Sequence, residues 1–216
     1  MRTISQVVEE TIQRSPFLSE AMQEGIANNA QIARKILPEV ERRLMEKVSE
    51  ASIAMALHRM QARLPKSPYN EKLLRQMSDL TVRSNLVEFV CANSDALPEV
   101  LETITKSARS RKDTFLNFSR GLHETLIIVN DAFEEEVEAA LKKEKRVRKL
   151  TQLSAITMRL PESSLSVPGM YYPILKAIAA EGISFVEVMS VSTEFSIIFE
   201  DAHVDRAFSV IKRITS

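Results

Sequence analysis

Two short segments of this chain repeat each other at a fixed distance. Glu124-Thr-Leu-Ile-Ile-Val-Asn-Asp131-Ala132 matches Glu194-Phe-Ser-Ile-Ile-Phe-Glu-Asp201-Ala202 at an offset of 70 (194 − 124 = 70). A duplicated apolar segment that ends in the same acidic residue implies two copies of one supersecondary unit, each burying its β face in the same way. The surrounding residues repeat in kind. Val87, Phe89 and Cys91 alternate as a strand, and Asn93-Ser94-Asp95 turns into a helix carrying Leu97, Val100, Leu101 and Ile104. Thr114–Phe118 and Glu124–Val129 read as strands joined by a turn at Arg120-Gly121. Asp131 is expected to cap a helix, with Glu134 completing a capping box. The basic run Lys142–Lys149 reads as its solvated end.

The second copy follows in the same order. Leu153–Leu160 is a strand, and Ser166-Val167-Pro168-Gly169 leads into a helix with Tyr171, Ile174, Leu175 and Ile178. Phe185–Val191 and Glu194–Phe199 are strands, and Asp201 is expected to cap a helix with Val204, Ala207, Phe208, Ile211 and Ile214. A helical bundle is excluded, because the β segments alternate with period two and are rich in Val, Ile and Phe. A doubly wound parallel sheet is excluded too, because two strands separated only by a turn form an antiparallel hairpin. Each half is therefore βαββα, which gives an α+β, ferredoxin-like sandwich with helices on one face of a mostly antiparallel sheet.

Residues 1–66 carry a different period. Ile4, Val7, Val8 and Ile12, then Phe17, Leu18, Met22 and Ile26, recur at helical spacing. Ser15-Pro16 opens a helix that Gly25 closes; Asn28 or Asn29 caps the next, and Pro38 should begin or kink a further one bearing Val40, Leu44 and Val48. Ser49 caps a helix with Ile53, Leu57 and Met60. The expected division is a helical domain at 1–66, a linker at 67–79, a first and degenerate repeat at 80–149, and a second repeat at 150–216.

Charge and composition narrow the function. Lys and Arg number 29 against 29 Asp and Glu, so a purely electrostatic partner is not demanded. Only 4 glycines occur, and neither GxGxxG nor GxxxxGK is present. The one cysteine, Cys91, and the dispersed His58, His123 and His203 make no metal-ligand spacing. No apolar run nears the roughly 20 residues of a membrane span. No cofactor is implied, no Ser/His/Asp arrangement is suggested, and the chain reads as cytoplasmic and not an enzyme.

Several segments of the second copy carry a resemblance to a known family. These are Ser166-Val-Pro-Gly-Met170, Ala180-Glu-Gly-Ile-Ser-Phe-Val-Glu-Val-Met-Ser190, Ser192-Thr-Glu-Phe-Ser-Ile-Ile-Phe199 and Asp205-Arg-Ala-Phe208. They resemble the regulatory ACT repeat of aspartate kinases. The resemblance is good over Leu153–Ile214, weaker over Leu80–Lys143, and absent from Met1–Pro68. It implies a homodimer in which an amino-acid effector lies between paired repeats. The implied contacts are Ser166, Val167, Gly169 and Met170 in the loop, and Ile183, Ser184 and Phe185 at the strand start, with the ligand carboxylate at a helix N-terminus. The sequence departs from the family at Ser184, where Asn or Asp is usual, and in the first copy, whose Asn93-Ser94-Asp95 loop lacks glycine. Nothing in this chain resembles the kinase's nucleotide-binding domain.

The leading expectation is a non-catalytic sensor in which the repeats bind an amino acid or similar metabolite and bias the helical domain. Two alternatives stand beside it. Residues 28–66 resemble parts of a helix-turn-helix, in which His58, Arg59 and Arg63 would contact DNA. Against that, Pro38–Lys47 interrupts the motif, and residues 1–66 hold 10 Lys or Arg against 8 Asp or Glu, a weak bias for a DNA-binding domain. The other alternative is a regulatory subunit or scaffold docked on a biosynthetic enzyme.

Overall fold

The computed structural model describes residues 2–64, 71–111 and 114–216. The chain divides into two compact units, Met1–Glu71 and Lys72–Ser216.

The first unit is helical: α1 (Ile4–Gln13), α2 (Pro16–Gln23), α3 (Asn29–Leu44) and α4 (Glu50–Gln61). Polar residues cap the starts of α1, α3 and α4, while Ser15 before α2 makes no capping bond. Thr3 forms a reciprocal capping box with Gln6, Asn28 accepts from the amides of Ala30 and Gln31, and Ser49 accepts from that of Ser52. Val7, Val8 and Ile12 of α1 pack with Met22, with Ile32, Ala33, Ile36 and Val40 of α3, and with Ile53, Ala56 and Leu57 of α4.

Pro38 neither starts nor ends a helix; it lies inside α3. Proline removes one i→i−4 bond. Here the loss falls on an exposed position, while Ile36 and Val40 on the opposite face are buried and hold the helix together. The chain turns instead at Met45, which is left-handed at φ 59°. Glu41 ties that turn, accepting from Lys47 Nζ (3.0 Å) and the Val48 amide (3.3 Å).

The second unit begins within the short helix α5 (Glu71–Leu74), inside the 67–79 span expected to be a linker; residues 67–70 of that span lie outside the described residues. Leu73 and Leu74 are core residues of the unit. Then follow β1 (Ser78–Ala92), α6 (Leu97–Arg109), β2 (Leu116–Arg120), β3 (Glu124–Asn130) and α7 (Glu134–Ala140), and after them β4 (Arg146–Arg159), α8 (Tyr172–Ala180), β5 (Glu187–Val191), β6 (Glu194–Glu200) and α9 (Asp201–Thr215). The strands form one sheet in the order β2-β3-β1-β4-β6-β5, and every pairing is antiparallel.

Each half contributes three strands, and the two first strands join them. Leu86 pairs with both Asn130 and Leu153, and Leu153 pairs with both Leu86 and Glu200. Leu86 and Leu153 thus occupy equivalent places and face each other at the centre of the pseudo-twofold arrangement. Their separation is 67 (153 − 86), not the 70 that relates β3 to β6. The second repeat inserts three residues between its first two strands, around a single 3-10 turn at Glu162–Ser166.

The first strands are much longer than their apolar alternation suggests. Lys142 and Lys143 are the exposed end of a 3-10 turn as expected, but β4 begins at Arg146, so the rest of the run Lys142–Lys149 is not a solvated helix end. Lys149 bonds Glu134 and Glu138, and Arg148 bonds Glu88 and Glu187. The two acidic residues do not cap helices either. No side chain caps the turn at Asp131 or the start of α9. Asp201 Oδ1 instead accepts from Ser154 Oγ (2.5 Å), and Asn130 Oδ1 accepts from the Phe115 amide (2.5 Å). Asp201 thus ties the start of α9 to β4, and Asn130 ties the end of β3 to the residue before β2.

One sheet face is covered by helices. Val87, Phe89, Cys91, Ile127 and Val129 pack under α6 and α7; Ile156, Met158, Phe195, Ile197 and Phe199 pack under α8 and α9. The other face is not flat and wet as a two-layer sandwich would have it. The sheet twists and rolls so that residues from near both edges, Phe115 beside β2 and Val186 and Met189 beside and in β5, close over Leu86, Ile128, Leu153, Ala155 and Ile198. Those five are fully buried.

Candidate functional site

At one end of this inner, helix-free face lies a groove of about 430 Å³. It is lined by Val90, Leu126 and Val147, by Ser119 and Gly121 at the β2 edge, and by Glu124, Arg148 and Glu187. Period-two alternation puts Glu88, Val90 and Arg148 on this face, since Val87, Phe89 and Cys91 point to the helices.

The electrostatic centre is Arg148. Its Nε (3.0 Å) and Nη2 (2.6 Å) both donate to Oε1 of Glu88, and Nη2 also donates to Glu187 Oε1 (3.1 Å). Among the described residues Nη1 has no partner. The guanidinium side is 46% exposed, whereas the Glu88 side chain is 0% exposed. Glu88 Oε2 is buried without a hydrogen-bond partner. Burial pushes the Glu88 carboxyl above its ordinary value; the bond and charge of Arg148 pull it down, and the neighbouring Glu187 pushes it up again.

The pseudo-twofold mate of this site carries none of these charges. The position equivalent to Glu88 is Ala155, and that equivalent to Arg148 is Thr81. At that end Thr157 and Ser196 exchange a hydroxyl bond of 2.7 Å. The charged cluster therefore belongs to one end of the sheet and is not a by-product of the duplication.

The expected loop site divides differently. Met170 and Ile183 are buried core residues under α8 and α9, and Val167 packs against the same core, so these side chains serve the core. Ser166, Gly169, Ser184 and Phe185 are exposed. Ser166 Oγ bonds locally to Ser163 O (3.2 Å). Gly169 does supply the positive φ, 75°, that turns the chain into α8. The donors expected for a carboxylate are reduced, because the Tyr172 amide donates to Gly169 O (3.0 Å) and Pro173 has no N–H. Tyr171 stacks on Phe195 at 4.3 Å, and its hydroxyl meets Ser190 Oγ at 2.9 Å.

His58, Arg59 and Arg63 are exposed on α4 and just beyond it. Arg59 and Arg63 line a groove against α1 with Ser5, Glu9 and Gln13, and Arg59 Nη2 reaches Ser5 Oγ (3.4 Å). That surface is of mixed charge and nothing in it favours a duplex. Among the described residues no His, Cys, Asp and Glu cluster could hold a metal ion, and no helix is long and apolar enough to cross a membrane.

Glu88 and Arg148 escaped the sequence reading. The first looked like the solvent-facing polar residue of an alternating strand, the second like a solvated cation. The available signal was Glu88 inside the run Leu86-Val87-Glu88-Phe89-Val90-Cys91, where an acid among five apolar residues needs a partner.

No protein-family model and no curated protein sequence matches this chain. Solved structures do. The regulatory subunit of aspartate kinase from Thermus thermophilus superposes with a TM-score of 0.53 at 9% identity, covering 65% of this chain and 99% of that one. The Thermus flavus regulatory subunit gives 0.52 at 10% identity over 65% and 99%. The Clostridium acetobutylicum aspartate kinase gives 0.53 at 8% identity, with 65% of this chain on 34% of that one. The covered share is close to that of Lys72–Ser216, and at such identity the likeness is one of fold.

Proposed function

We propose that a chain carrying the complete fold of an aspartate-kinase regulatory subunit is itself a non-catalytic regulator, whose α/β unit senses an amino acid or similar small metabolite and biases the helical unit. The observation that supports this is the coverage: a separate regulatory subunit is matched over 99% of its length, and the two βαββα halves here share one sheet. What such a subunit contributes is a difference in affinity between two arrangements, typically worth about 1–3 kcal/mol of coupling.

A thermal-shift series against the twenty amino acids tests the reading. A ligand at 100 times its dissociation constant adds about 2.7 kcal/mol to the stability of the state that binds it. A selective rise in melting temperature is the expected result; a well-folded sample that responds to none of the twenty overturns it.

Homodimerisation belongs to the same proposal. Among the described residues the outer strands β2 and β5 have no neighbour on one side, and they expose Phe118, Val188 and Val191. Unpaired edges with apolar residues are templates for another strand. Light scattering should give twice the chain mass of 24.4 kDa; a monomer at micromolar concentration contradicts the expectation.

A further inference from the structure

We propose that the amino acid is bound in the inner groove of the sheet, with its carboxylate on Arg148 and its ammonium on Glu124 and Glu187. The inference rests on the sensor reading and gives it a location and a ligand class.

Three observations converge. First, Arg148 is already oriented. Glu88 holds Nε and Nη2 and Glu187 shares Nη2, which among the described residues leaves Nη1 as a fixed and unused donor on a half-exposed guanidinium. A guanidinium whose Nε and Nη2 are held by two carboxylates keeps its planar orientation, and its remaining Nη1 can donate to the carboxylate of a ligand. Second, charge in the groove is unbalanced. Glu88 cancels Arg148, and Glu124 and Glu187 then line the same walls with no second cation among the lining residues. Two surplus carboxylates beside one open guanidinium edge fit an α-amino acid zwitterion. They favour a molecule with a second amino group and oppose one with a second carboxylate. Third, Val90, Leu126 and Val147 supply apolar wall, and about 430 Å³ lies within the roughly 300–1,000 Å³ of small-ligand pockets. The asymmetry of the pseudo-twofold agrees. Ala155 and Thr81 occupy the equivalent places at the other end, so one ligand per chain is expected.

The groove also connects parts that a sensor must couple. Its lining comes from β1, β3 and the β2 edge of the first repeat and from β4 and β5 of the second. A ligand bridging Arg148, Glu124 and Glu187 would hold the two repeats in one degree of roll.

Isothermal titration of the full chain with the twenty amino acids, repeated on three variants, tests the site. The variants are Glu124→Gln, the double substitution Glu88→Gln/Arg148→Met, and Ser166→Ala/Ser184→Ala in the exposed loop before and after α8. The expected result is binding of basic amino acids ahead of neutral ones and of acidic ones last. Glu124→Gln should weaken it at least tenfold and the double variant should abolish it, while the loop variant leaves it unchanged. Should the double variant fail to fold, Glu124→Gln decides, since that side chain is exposed and only its backbone carbonyl closes the hairpin with Gly121. Undiminished binding in the groove variants, with loss in the loop variant, overturns the groove and leaves the sensor standing. Preference for acidic amino acids overturns it as well. Absence of binding by the intact chain overturns both.

Discussion

Arg148→Met should lower the stability of the α/β unit by about 3 kcal/mol, because it strands the Glu88 carboxylate in a fully buried position without the donors that hold it among the described residues. Removing one partner of a buried pair costs roughly 3–5 kcal/mol; the half-exposed guanidinium lets water approach, which places this pair at the low end. At about 2–4 °C per kcal/mol for a unit of this size, the midpoint should fall by roughly 6–12 °C. Adding Glu88→Gln to the same chain should restore most of the loss, and a double-mutant cycle by denaturant titration reads the difference. The pH dependence has a definite sign. Burial already holds the folded Glu88 carboxyl above its ordinary 4.5. A group raised on folding contributes stability that is complete below the unfolded value and is lost as pH rises through the folded one. Without Arg148 the folded value rises further. The deficit of Arg148→Met should therefore be largest at neutral pH and shrink as acid protonates Glu88. A deficit that stays constant from neutral pH down to the ordinary carboxylate range would show that the pair is not what Arg148 contributes.

The hairpins and the helix-side core were legible, and the reason is physical. β3 and β6 each pack on a helix layer and must alternate, so Ile127 and Val129, Ile197 and Phe199 announce their own face. Their 70-residue offset survives in the structure with equal strand lengths. The first strands were only half legible. Their N-terminal stretches, Ser78–Asn85 and Arg146–Gln152, are polar and largely exposed, the first pairing with Ala155–Arg159 and the second with Glu88–Cys91, and polar strands carry no period to read. The three-residue difference between repeats was hidden for the same reason. Pro38 misled because propensity counts the lost hydrogen bond but not the burial of Ile36 and Val40 on the opposite face. Asp131 and Asp201 misled because an acidic residue between strand and helix looks like a cap, while Ser154 offered Asp201 a better partner from β4. At the loop, the Ser166–Gly169 entry into α8 was legible, but the burial of Met170 and Ile183 was not. The groove was least legible of all. It is assembled from residues near opposite edges of a rolled sheet, and no local pattern reports that roll.

The roll itself makes the second large prediction. In an open two-layer sandwich, Ile128 and Ile198 would face water, and truncating either would change stability by less than about 0.5 kcal/mol. In this structure both are 0% exposed and belong to a second core with Leu86, Leu153 and Ala155. Ile128→Ala and Ile198→Ala should each cost about 2–5 kcal/mol, the same range as Ile127→Ala and Ile197→Ala on the helix side. Chemical denaturation of the four variants compares two faces of the same two strands, with neighbouring residues as internal controls. Matching losses on both faces would establish that the sheet has two interiors. That second interior is what shields Glu88, fixes Arg148, and brings Glu187 of β5 to the groove bordered by Ser119 of β2. Losses confined to Ile127 and Ile197 would mean an open sheet. Arg148 would then be a solvated strand cation, and the groove would lose the walls that make it a binding site.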